Sequence, residues 1–234
     1  MEAKNVRAAQ GAEWFSCGWN LFKQDFGTWF IMFLLFIVIA IVLSLIPFIG
    51  TLVLSVISPA LMAGFMFSAS QMDQGNEIEI AHLFQGFKDK SRINNLLTLG
   101  ALYLVAQILL MIIIFALLGS NAMVSAGEAG EFDPQTMMTG SMMISMLLIS
   151  LVALIIAMAF LYATPLVMLD NMKPVESVKA SFSACLQNIL PLLVFGIIYL
   201  LLAIIAAIPI FLGFLILLPV SILALYCSYK SIFH

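Results

Sequence analysis

Six long stretches of this chain hold no Asp, Glu, Lys, Arg or His, and they limit its fold more than anything else: Thr28–Ile46, Thr51–Ser70, Leu96–Leu118, Ser141–Leu169, Ile189–Ile208 and Phe214–Tyr229. A helix rises about 1.5 Å per residue, so crossing a hydrocarbon layer of roughly 30 Å takes roughly 20 apolar residues. Each stretch is of that order. Lipid offers no water to an unpaired amide or carbonyl, so each must close its hydrogen bonds within itself, as a helix. A water-soluble fold is excluded by composition, because 64% of the residues are hydrophobic and 9% charged, against roughly 45–50% and about 25% in soluble domains. The surplus apolar surface has to face the lipid bilayer. The expected fold is an all-α membrane bundle of six transmembrane helices in one integral membrane domain.

Two junctions between stretches are very short. Pro47-Phe48-Ile49-Gly50 separates the first pair, and Pro209-Ile210-Phe211-Leu212-Gly213 the last. Proline ends a helix and glycine permits the reversal, so both read as tight hairpins at one membrane face. The middle pair is separated instead by a long segment, 119–140, with Glu128, Glu131 and Asp133 but no Lys or Arg.

The basic residues give a direction. Lys4, Arg7, Lys23, Lys88, Lys90, Arg92, Lys173, Lys179 and Lys230 all fall on the other side of the membrane from that acidic segment. By the positive-inside rule the basic side is cytoplasmic, with both chain ends there. The first apolar stretch is longer than a signal-peptide core and runs on into a second, so it reads as a retained anchor. Cys17, Cys185 and Cys227 have no metal or redox spacing and read as free thiols in a reducing compartment. A net charge of −3 with no basic run gives no reason to expect nucleic acid.

A segment with helical apolar periodicity precedes each pair of spans. In the first, Phe15, Trp19, Phe22 and Phe26 form a stripe. Ile80, Leu83, Phe84 and Phe87 form the second. Val175, Val178, Phe182, Cys185, Leu186 and Ile189 form the third. The unit of amphipathic interfacial helix plus two spans therefore repeats three times, at about 11–72, 79–171 and 174–230. Such helices serve either as cuffs packed on the base of the bundle or as docking faces for head groups or partners.

Candidate sites are few. Gln107 is the most polar side chain deep within a span; with the helix-kinking Pro59 and Pro219 it could line a conduit, and otherwise it makes an interhelical hydrogen bond. Ala60, Gly64 and Ser68 form a small-residue ridge of the kind that packs helices, and Ala153 and Ala157 a shorter one. Met137, Met138, Met142, Met143 and Met146 cluster near the acidic segment. Thioethers select soft ions such as Cu(I) or Ag(I), although Met also fills apolar gaps. His82 reads as a solvated surface residue, and Asp170 as a cap for the segment starting at Pro174. No ionisable group lies within a span, and no nucleotide loop, zinc helix or nucleophile elbow is present, so neither catalysis nor a cofactor is expected.

The stretches Gly18-Trp19-Asn20-Leu21-Phe22-Lys23, Leu45-Ile46-Pro47 through Ser58-Pro59-Ala60-Leu61-Met62-Ala63-Gly64, and Ile80 through Phe87 resemble a family of bacterial multi-pass proteins with no established activity. The resemblance implies a bacterial inner-membrane location and six spans, and brings no functional residues. Three functions from different classes stay open. In order they are a non-catalytic accessory or assembly protein that binds other membrane proteins or further copies of itself, a passive transporter, channel or lipid-handling protein, and a metal-handling protein.

Overall fold

The computed structural model describes residues 3–129 and 140–234. Helices follow one another as α1 (Gln10–Gln24), α2 (Phe26–Ser44), α3 (Ile49–Asp73), α4 (Gln85–Lys88), α5 (Ile93–Ala129), α6 (Gly140–Phe160), α7 (Ala163–Met168), α8 (Pro174–Gln187), α9 (Ile189–Ala207) and α10 (Phe214–Phe233). Six segments are long and apolar enough to cross a membrane: Phe26–Ser44, Ile49–Asp73, Ile93–Gly119, Met142–Met168, Ile189–Ala207 and Phe214–Phe233. They coincide with the six uncharged stretches, and the chain is an all-α, six-span membrane protein. α5 runs on to Ala129, into the segment read as a loop; the rest of that segment, with Glu131, Asp133, Met137 and Met138, lies outside the described residues.

The hairpins reverse differently from the sequence expectation. Left-handed φ falls on Phe48 (61°), Ile210 (51°) and Phe211 (63°), not on the glycines. Gly50 is needed for closeness instead, since a Cβ there would lie 1.7 Å from the Leu43 carbonyl oxygen. Both tips are apolar and open, with Phe48 and Ile210 each 86% exposed.

Packing is densest in one half of the bundle. The buried core takes Trp14, Phe22, Trp29, Met32, Phe65, Leu83, Tyr162, Leu166, Tyr229 and Phe233, all from the ends of helices next to the basic segments. At that end α1 lies along α10, and the Trp29 indole N–H reaches back to the Leu21 carbonyl at 3.2 Å. In the other half the helices present their apolar side chains outward, as Ile108, Leu147 and Leu200 do.

α1 buries the apolar face that its sequence suggests, though not every residue of the stripe, whereas α8 buries a face of small and polar residues. α1 buries Trp14, Phe15, Gly18, Leu21 and Phe22, whereas Trp19 and Phe26 stay exposed. α8 buries Pro174, Ser177, Ser181, Ala184 and Cys185 and turns Val175 and Leu186 outward. With lipid as the solvent, an apolar side chain gains little by turning inward, so on α8 small and hydrogen-bonding residues take the contact. The second segment is a 3-10 turn (Ile80–Phe84) running into the single turn of α4, and it is held against α3 by backbone.

The three-thiol reading is corrected. Cys17 and Cys227 form a disulfide with 6.3 Å between their Cα atoms, and Cys185 alone is free. Spacing along the chain could not show this pair, because it exists only once Gly18 lets α1 settle against the Val220–Ala224 backbone of α10.

Candidate functional site

α3 and α5 run in backbone contact at Val56 and Gly100 and then part. Above the contact they leave a groove of about 370 Å³, lined by Thr51, Leu52, Ser55, Leu104, Gln107, Ile108, Leu110, Met111 and Ile114. Its polar side chains differ in how far they are satisfied. The Thr51 hydroxyl donates to the Phe48 carbonyl at 2.9 Å, and the Ser55 hydroxyl to the Thr51 carbonyl at 2.8 Å. The Gln107 carboxamide has no hydrogen-bond partner among the described residues. Gln107 is near the middle of the Ile93–Gly119 segment, and it shares the groove with Thr51 and Leu52 from the first turn of α3, beside the hairpin tip.

The other residues named for a conduit lie elsewhere. Pro59 and Pro219 are buried within α3 and α10, and neither lines the groove. Pro59 has no N–H for the Ser55 carbonyl one turn back, and the Ser58 hydroxyl takes that carbonyl at 3.2 Å. The small-residue ridge is occupied by the chain itself: a Cβ on Gly64 would lie 2.1 Å from the Leu83 carbonyl oxygen, and one on Gly86 2.3 Å from that of Ala60. Ser68, fully buried, donates to the Gly64 carbonyl at 3.0 Å. A ridge filled this way is closed to any second protein.

Of the methionine cluster, Met137 and Met138 lie outside the described residues. Met142 is half-buried, while Met143 and Met146 are exposed on α6. His82 closes a reciprocal cap with Glu79, its Nδ1 accepting the Glu79 backbone N–H at 3.2 Å, and its ring meets Phe67 edge-on.

A second polar cluster, unsuspected from sequence, knots the basic end together. The Tyr229 hydroxyl donates to Asp170 at 2.5 Å, and His234 sits 3.3 Å from the same carboxylate. Asp170 is thus spent on α10 and does not cap α8. Tyr226 and Lys230 both reach Asp73 at the end of α3. Asn188, fully buried, accepts the Val6 N–H at 2.9 Å and donates to the Lys4 carbonyl at 3.0 Å, pinning the start of the chain.

Next to this knot the fourth span is broken. Pro165 cannot continue the helical ladder, and the chain turns at Leu161 and Tyr162 between α6 and α7. Ser181 of α8 repairs the break: its hydroxyl oxygen takes the Tyr162 N–H at 3.0 Å and donates to the Met158 carbonyl at 2.7 Å. The Cys185 thiol points at the same carbonyl, and burial pushes its pKa up to about 12. Pro165, inside an otherwise uninterrupted uncharged stretch, was the sequence signal for the break; Ser181 carried no local signal for the repair.

Along its whole length the chain is similar to a probable inner membrane protein of Burkholderia thailandensis, at 26% identity over 255 aligned positions that cover all of this chain and 93% of that protein. No protein-family model matches the chain. No solved structure matches it. The likeness agrees with the resemblance to bacterial multi-pass proteins, and with the six apolar helices it makes this chain a multi-pass inner-membrane protein in contact with the lipid bilayer.

Proposed function

We propose that the chain is a non-catalytic accessory protein of the inner membrane, one that holds or helps to assemble other membrane proteins, with both termini in the cytoplasm. The observation that carries this reading is the uneven packing. Hydrogen bonds and backbone contacts lock the spans at the basic end, while α6 and α9 carry apolar stripes that stay uncovered along much of their length. One stripe is Ile144, Leu147, Leu151 and Leu154 on α6; another is Leu193, Ile197, Leu200 and Ile204 on α9. A rigid base carrying free helix faces suits lateral association within the bilayer, where close packing drives helix pairing. The orientation rests on the basic residues.

Mild-detergent purification from the native membrane, followed by identification of stoichiometric companions, tests the proposal. A companion should be released by Trp substitutions along the α6 or the α9 stripe, with the thermal melt of the chain unchanged. If no companion is stoichiometric, or neither stripe matters to its retention, the accessory role fails.

A second reading, passive transport or lipid handling, draws on the groove at Gln107. Pro59 and Pro219 do not extend that groove into a path, so this reading stands behind the first.

A further inference from the structure

We propose that the outward face of α1, from Trp19 through Lys23 to Phe26, binds an acidic phospholipid, with Lys23 on the lipid phosphate and an acyl chain laid over Phe26 and Phe30. This binding is separate from the accessory role and holds for either direction of insertion. Three observations converge on it.

The first is depth. α1 lies across the starts of two spans. A Cβ on Gly11 would lie 2.3 Å from the Pro191 carbonyl oxygen in the first turn of α9, and the Leu21 carbonyl accepts the indole N–H of Trp29 from the first turn of α2. α10 passes beside Gly18 at Val220–Ala224 and runs on beyond α1 to the polar knot at Tyr229 and His234. A helix level with the first turns of two spans lies where acyl chains give way to head groups.

The second is a row of rings on the outer surface. Trp19 and Phe26 are 43% and 50% exposed, and Phe26 stacks on the half-buried Phe30 at 5.5 Å. The row therefore steps from α1 onto the first span, which begins at Phe26. Phe30 is one turn into that span, at the level of acyl chain, while Trp19 stays at the level where indoles gather in membrane proteins.

The third is charge. Lys23 stands between these rings, its ammonium 5.8 Å from the centre of the Trp19 ring and attracted to the ring's negative face. It makes no ion pair among the described residues. The neighbouring carboxylate is already engaged, since Asp25 accepts the Thr28 N–H at 3.1 Å and caps α2. Glu13, the acid in the first turn of α1, is about 15 Å away along the axis. A lysine without a carboxylate, beside an aromatic face covered by acyl chain, is matched by the phosphate of a lipid with net negative charge. A zwitterionic lipid brings its own cation to the same place and matches it less well.

The test uses the full chain, purified and reconstituted in vesicles of equal parts phosphatidylcholine and phosphatidylglycerol. Tryptophan fluorescence is read with bromine carried on the acyl chains of one lipid or of the other. Trp14 and Trp29 are buried, so Trp19 is the indole that a brominated chain can reach. Brominated phosphatidylglycerol should quench it more than brominated phosphatidylcholine, to an extent that corresponds to a local enrichment of about fivefold, the scale of one lysine at an anionic membrane surface. Trp19→Phe should remove most of the quenching, and Lys23→Gln should keep the quenching but make the two lipids equal. Both side chains are exposed, and unchanged thermal melts would show that the variants fold. A second measurement needs no variant: high salt should shrink the preference of the wild type by screening the lysine. The proposal is overturned if the two lipids quench the wild type equally, if the preference survives Lys23→Gln or high salt, or if Trp19→Phe leaves the quenching in place. No companion protein is in the vesicles, so any of these results leaves the accessory role to its own test.

Discussion

Gly100 passes so close to Val56 that a Cβ on it would lie 2.0 Å from the Val56 carbonyl oxygen. No side chain other than hydrogen fits that gap, and the neighbour is backbone, which cannot swing away. Gly100→Ala should therefore push α5 off α3 and cost about 1–3 kcal/mol, the usual range for overpacking. Thermal unfolding in detergent would show it as a lowered midpoint. Gly119→Ala, where an added Cβ would meet nothing within 4 Å, is the control expected to leave the midpoint in place. Equal midpoints for the two variants would mean that the helices do not meet at Gly100.

The repaired break in the fourth span gives a second prediction. Ser181→Ala removes in one step the acceptor of the buried Tyr162 N–H and a donor to the part-buried Met158 carbonyl. Leaving buried groups unpaired costs about 1–3 kcal/mol. Ser183→Ala, two residues away on the exposed face of α8, removes only a contact with Gln187 and should change stability by less than about 0.5 kcal/mol. If the two alanine variants melt together, Ser181 is not holding the break.

These cases show which kinds of information the chain carries in linear form. The six spans were legible because lipid imposes a composition that 20-residue windows reveal directly, with no tertiary knowledge needed. The inward face of α1 was legible in part, through Phe15 and Phe22, and that of α8 was not. A periodicity argument written for water assigns the apolar stripe to the interior, and here Trp19, Val175 and Leu186 face outward while Ser177 and Ser181 go in. Gln107 stood out in sequence because a carboxamide amid uncharged residues is conspicuous. Its neighbours Thr51 and Ser55 did not, since their place beside it depends on where Gly100 meets Val56. The Cys17–Cys227 pair and the hold of Asn188 on Val6 join opposite ends of the chain, and no local pattern announces such contacts.

Cys185 gives a prediction that depends on pH. Burial raises its thiol from an ordinary value of 9.0 to about 12. At pH 8 roughly one thiol in ten thousand is then the reactive thiolate, so a maleimide should label the folded chain very slowly and the unfolded chain readily. The sign for stability follows from the neutral form being the one the fold prefers. The contribution of Cys185 is whole below the unfolded value of 9.0 and is lost as pH rises toward about 12. Alkaline melts of wild type and Cys185→Ala should therefore converge over that window. Rapid labelling of the native protein at pH 8 would show that the thiol is not shielded by α6.

The disulfide bears on the proposed orientation, because Cys17 and Cys227 join α1 to α10 at the end of the bundle that carries the basic segments. In the proposed orientation that end lies in the cytoplasm, where cellular reductants keep thiols reduced. With Cys17 exposed on α1, a soluble dithiol reductant can reach the bond even though Cys227 is buried. In living cells the pair should then be open, and it should close when membranes are prepared in air. Cells quenched with acid, denatured and treated with a mass-tagged maleimide would count the thiols directly. Three tags per chain in quenched cells, falling to one after aerobic purification and returning to three with dithiothreitol, is the outcome expected of a cytoplasmic basic end. A single tag in quenched cells, on Cys185 alone, would place the bond in an oxidising compartment and reverse the orientation of all six spans.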